Sequence, residues 1–166
     1  MFLTRRRITL IGAVAAVAGA IILLPYISSL TASGLDRVTI SLSNVEVAPV
    51  DNKEERIQLD VDFLLNNPTD KTVTTSKIEY DLFADNNPLG DSILSYEDIP
   101  PNGRPALLPN QSIKLTSPFQ LIYSDSTAAV FRKIADNSSD INWKVQGSAI
   151  IESAITLQEK QFSDEL

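Results

Sequence analysis

The chain has 166 residues, with 14 Lys and Arg against 21 Asp and Glu, and it contains neither histidine nor cysteine. Those two absences remove imidazole bases, thiolate nucleophiles, Ser-His pairs and Cys/His zinc sites, and leave the redox compartment undetermined. Three of the basic residues are Arg5, Arg6 and Arg7, so the remainder carries 11 against 21, a net of −10 that repels nucleic acid phosphates.

The first element is apolar. From Ile8 to Ile27 there is no charged residue, and the next one met is Asp36. About 20 helical residues at roughly 1.5 Å each span a hydrocarbon core of about 30 Å, so the run is read as a single transmembrane helix. Tyr26 stands where an interfacial aromatic would, and Pro25 falls near the exit. Arg5, Arg6 and Arg7 precede the run and no basic residue follows before Arg37, which puts the N-terminus in the cytoplasm and the acidic remainder outside. A cleaved signal peptide and a buried core helix are the alternatives; Ser28, Ser29, Thr31, Ala32 and Ser33 offer small residues for cleavage, although the run exceeds the usual h-region of about 7–15 residues. Residues 1–34 are thus a basic tip, membrane helix and polar linker, and 35–166 have the length of one domain with one core.

Alternation governs the rest. Val38, Ile40 and Leu42 share one parity and Val45 and Val47 the other, so around Ser43 and Asn44 either a β-bulge or a strand crossing from one sheet to another is expected. Ile57, Leu59, Val61, Phe63 and Leu65 alternate with Gln58, Asp60 and Asp62, and Ile78, Tyr80 and Leu82 alternate with Lys77, Glu79 and Asp81. Asn66, Asn67, Pro68, Thr69 and Asp70 separate these two strands, Pro68 having no N–H to give a ladder. Residues 85–90 are read as the next turn, leading to a strand with Ile93, Leu94 and Tyr96; the loop from Pro100 to Pro109 follows. Ile113, Leu115, Phe119, Leu121 and Tyr123 form a strand in which Ser117 breaks the apolar parity. Thr127, Val130, Phe131 and Ile134 shift to helical spacing, predicting a helix over Ser126 to Ala135 capped by Ser124 or Asp125. Strands around Trp143, Val145, Gly147 and Ala149, and near Ile155 to Phe162, complete a mainly β, seven-stranded antiparallel sandwich with one short helix.

Candidate sites are few. Asp60 and Asp62 are paired at i and i+2, as acid and base would be, but on a strand this spacing places both on the outward, solvated face. Asp85, Asn87 and Gly90 match part of a calcium loop, while Leu89 and Tyr96 lack the oxygens it needs, so an ordinary turn is preferred. Asp136, Asn137 and Asp140 are too generic to define a cation site, and no cofactor or metal is assigned. Asn110-Gln111-Ser112 and Asn137-Ser138-Ser139 fit the N-glycosylation pattern and fall at loops. Trp143, the only tryptophan, is on the inward parity and is assigned to the core.

The order of parts, LDVDFLLNNPTDKTV, then SKIEYDLFADNNPLG, then the Pro-rich loop, SIKLTSPFQLIY and WKVQGSAII, resembles the late embryogenesis abundant type 2 domain, also called the water-stress and hypersensitive-response domain, over about Asp36 to Phe162. The resemblance implies a fibronectin-III-like sandwich, often membrane-tethered, tied to desiccation and stress responses and without established catalytic residues. It marks Asn67, Pro68, Tyr80, Gly90 and Gly147 as structural motif positions. The expectation is a non-catalytic, membrane-anchored protective or binding domain on the outer side, not an enzyme, with no nucleic acid partner. An accessory subunit of a membrane complex, with a protein partner in the envelope, and a weak hydrolase using Asp, Glu or Ser are the alternatives.

Overall fold

Strands that are apolar on one side only must find a second layer to cover that side. In the computed structural model two antiparallel sheets supply it, and the residues described are 17, 19 and 21, 34–48, 56–136, 140–154 and 156–166. In chain order the elements are β1 (Thr39–Val47), β2 (Arg56–Asn67), β3 (Val73–Ala84), β4 (Asn87–Ser95), β5 (Ala106–Leu107), β6 (Gln111–Ile122), α1 (Ala128–Ala135), β7 (Trp143–Glu152) and β8 (Leu157–Glu165), with 3-10 turns at Leu35–Arg37 and Pro101–Gly103. One sheet has the order β1-β2-β6; the other has β4-β3-β7-β8, and β5 pairs with β3.

The alternating residues of β2 face those of β3 and β7. Leu59, Val61, Phe63 and Leu65 pack with Ile78, Tyr80 and Leu82 and with Val145, Ala149 and Ile151, none more than 3 % exposed. Phe63 meets Tyr80 edge-on at 4.9 Å and Phe162 at 5.8 Å, so one ring of β2 touches two strands of the facing sheet. At one side the layers are bridged by β8: Lys160 donates to the carbonyls of Asp36 and Val38, and Asp164 Oδ2 accepts the Leu42 N–H at 2.9 Å. Asp164 thus occupies a backbone N–H that the outer edge of β1 would otherwise present to another strand, and Lys160 occupies two carbonyls just before that strand.

Several expectations are met and several are corrected. The parity flip in β1 is a bulge, with the register shifting between Leu42 and Asn44. Eight strands are found among the described residues, not seven, because Ala106–Leu107 of the Pro-rich loop adds β5. The turn predicted over 85–90 is only Asp85-Asn86, at φ 49° and 63°, the two-residue form whose twist suits a hairpin. Pro88 and Gly90 therefore lie inside β4, an edge strand where a missing N–H is tolerated, and Tyr96 lies beyond it. The helix begins at Ala128 after Thr127, whose side chain makes no cap bond; neither Ser124 nor Asp125 is the cap. The last strand is Leu157–Glu165, later than expected.

Ile155 and the sequon at Asn137 lie outside the described residues, as does almost all of the 8–27 run. Val17, Gly19 and Ile21 of that run are helical, and among the described residues no helix is long and apolar enough to cross a membrane.

Candidate functional site

Asn67 was legible as a turn residue, but the structure gives it a larger part. Its side chain is fully buried. Its Nδ2 donates to the carbonyls of Lys71 at 2.7 Å, Leu107 at 3.0 Å and Leu108 at 3.2 Å, while its Oδ1 accepts the Thr69 N–H at 3.1 Å and hydroxyl at 2.6 Å. One amide thus closes the β2–β3 turn and clamps it to the end of the Pro-rich loop. Pro68 stops β2 there, and its carbonyl accepts from Arg37 at 3.2 Å.

Tyr80 is buried between the sheets and donates its hydroxyl to Ser117 at 3.0 Å. This explains the exception in β6: a buried phenol needs a small polar partner across the layers, and a larger apolar residue would remove the one that Ser117 supplies. Burial pushes the Tyr80 phenol above its ordinary value, against the hydrogen bonds to Ser117 and Ser92. Gly90 takes φ 134°, next to the irregular register between Leu82 and Phe83.

The paired-carboxylate reading is corrected at Asp62. It is buried, not solvated, because Thr116 on β6 and Lys114 two residues earlier close over its face of the strand, at 2.5 Å and 2.9 Å. Burial pushes the Asp62 carboxyl up, but the Thr116 and Lys114 hydrogen bonds and the lysine charge outweigh it and hold the group below 3.8. A carboxylate kept ionised with both oxygens engaged is not poised as a general acid near neutral pH. The consequence is for stability. A depressed folded value means a contribution fully present above the unfolded value of 3.8 and lost as the pH falls through the lower folded one. Unfolding of the parent chain and Asp62→Ala between pH 7 and pH 2 is therefore expected to show a gap that narrows only at the acid end; a gap independent of pH contradicts the assignment.

Asp85 is likewise engaged by protein groups. Its carboxylate takes Lys133 of α1 at 2.6 Å and the Asn142 N–H at 3.0 Å, and both hold it below its ordinary value. Asn87 donates back to the carbonyls of Ala84 and Asp85. This is a turn that pins α1, in agreement with the turn reading. Trp143 is half-buried against the core and its backbone pairs with Leu166. Asn110 is exposed, with φ 55°, in the turn before β6.

What the sequence reading missed is a shallow cleft of about 320 Å³ across the outer face of the larger sheet. Glu79, Asp81, Asp91, Gln146, Ser148 and Gln161 line it. β3 sets Asp81 directly opposite Asp91 on β4 and Gln146 on β7, a juxtaposition that depends on register and has no signal in local alternation. Its floor is Gly147, where an added Cβ would fall 2.0 Å from the Glu79 carbonyl oxygen. The lining offers hydrogen bonds and negative charge to a small polar solute.

No family model and no curated protein matches the chain. Solved structures do. A protein of Arabidopsis thaliana, known from its solution structure, superposes with a TM-score of 0.52 at 12% identity, covering 76% of this chain and 79% of that one. A protein assigned to the late embryogenesis abundant class gives 0.47 at 11% identity over 93% and 86%, and a protein of Archaeoglobus fulgidus 0.45 at 14% over 75% and 94%. At these identities the first likeness is one of fold.

Proposed function

We propose that the chain is a non-catalytic domain of the late embryogenesis abundant type 2 kind, tethered by residues 8–27 on the outer side of a membrane and acting there in protection against water loss. The observation that carries the reading is the use of the motif residues: Asn67, Pro68, Tyr80, Gly90 and Gly147 all serve strand ends, the core or the contact of two strands. Strand order supports the finer fold assignment. Lettered along a fibronectin-III-like sandwich, β1-β2-β6 are A-B-E and β4-β3-β7-β8 are C′-C-F-G, with β5 an addition. The acidic surface is well hydrated and keeps such bodies apart, and the positive tip before residue 8 sets the orientation.

Two measurements test it. In intact cells, external protease is expected to remove a tag placed after Leu166 and to spare one placed before Met1; the reverse pattern overturns the orientation, and release of the chain by alkaline carbonate overturns the tethering. Dye-loaded vesicles carrying the full chain are expected to leak several-fold less through drying and rehydration than vesicles carrying an unrelated single-pass protein. Equal leakage overturns the protective role.

A further inference from the structure

The end of the body at which the chain enters is defined by its hydrogen bonds. Thr39 at the start of β1 pairs with Asn66, and Arg37 reaches Pro68. The Asn110 N–H donates to Thr69, and Asn67 holds Leu107 and Leu108, which brings the Pro-rich loop to the same end. Thr74 pairs with both Ala106 and Glu152, and Glu152 with Leu157, so the β7–β8 turn lies there too. Three large apolar side chains are exposed at this end, Ile99 at 39% and Leu108 at 46% on or beside the Pro-rich loop and Leu157 at 61% at the start of β8.

Their exposure is built in. Arg104 ties the loop down through the carbonyls of Ile99 at 2.8 Å and Glu97 at 3.3 Å and the carboxylate of Glu152 at 2.7 Å. Pro100, Pro101, Pro105 and Pro109 restrict the backbone around them. A loop held this firmly, with Ile99 and Leu108 turned outward beside Leu157 at the start of β8, is prepared for a surface that takes these groups up without further ordering cost.

The sequence says which surface is near. Only Ser28 to Ser33 separate the apolar run from Gly34, a span that cannot exceed about 25 Å even fully extended. The 12 residues of β2, at about 3.4 Å each, put the far end of the body some 40 Å away. The short tether keeps the near end at high effective concentration against the bilayer, where a contact too weak to hold a free protein is made intramolecularly. We propose that Ile99, Leu108 and Leu157 rest in the headgroup boundary of the bilayer that holds residues 8–27, so that the sandwich stands on the membrane with its Asn-Pro end down. The proposal rests on the tethered reading above. Its acidic body favours a zwitterionic over an anionic surface.

The absence of cysteine makes the test direct. Single Ile99→Cys, Leu108→Cys and Leu157→Cys variants of the full chain, with Ile122→Cys at the far end and 60% exposed as the reference, are labelled with an environment-sensitive fluorophore and reconstituted in phosphatidylcholine vesicles. A lipid carrying a shallow spin label is expected to quench the three near-end positions at least fivefold more than position 122. The preference should fall when anionic lipid is added. Chain that floats with the vesicles but shows equal quenching at all four positions overturns the docking and leaves the tether standing. Chain that does not float with vesicles overturns both. Three near-end sites guard against one label perturbing the fold, which Trp143 fluorescence reports.

Discussion

Asn67→Ala is expected to lower stability by about 3 kcal/mol and the Tm by roughly 10–15 °C, measured by urea and thermal unfolding of the chain through its single tryptophan. The amide satisfies three carbonyls and one backbone N–H at once, and its removal takes these bonds from the buried Thr69 N–H and from the carbonyls of Lys71, Leu107 and Leu108. Asn67→Asp separates this from simple loss of volume. It keeps the shape and the acceptor toward Thr69 but turns a carboxylate oxygen toward three carbonyl oxygens, so it should be at least as damaging as alanine. An Asn67→Asp variant as stable as the parent would sink the clamp. The lesion should also propagate: protection of amides in residues 106–111 is expected to fall with that of 67–73, since one side chain holds both segments.

Gly147→Ala is expected to cost about 3 kcal/mol, although alanine is the smallest addition available. The new methyl would meet the Glu79 carbonyl oxygen at 2.0 Å and the Tyr80 Cα at 2.8 Å, both backbone atoms of the central strand β3. Backbone in the middle of a sheet cannot swing aside as the end of a side chain can. Strands β3 and β7 must part, and Tyr80 loses its seat between Phe63 and Ser117. Ser148→Ala, one residue on and facing the outer cleft, is the control and should change stability by less than about 0.5 kcal/mol. Equal losses in the two variants would show that the close approach at Gly147 has no particular weight.

The contrast between Asp60 and Asp62 shows where local reading stops. Both stand on the outward parity of β2, and alternation assigns them one environment. Thr116 and Lys114 make the difference, and they come from β6, more than 50 residues away, through the pairing Asp62↔Thr116. The turn after β3 shows the reverse problem: Asp85, Asn86, Asn87, Pro88 and Gly90 are all turn formers, and only the hairpin register decides that two of them turn and the others continue as an edge strand. Ser117 was visible as an exception to its strand's parity, yet its partner Tyr80 was not, because the two meet across the layers.

Alternation with period two, the Asn-Pro break and the helical interval at Val130, Phe131 and Ile134 were enough for the amino-acid sequence to settle a mainly β body with one helix, since each strand must bury one face whatever its neighbour. The buried Asp62, the five-bond clamp at Asn67 and the outer cleft opposite Asp91 were decided by tertiary structure alone. They depend on which residues face each other across distant strands, and a pattern repeating every two residues carries no information about that register.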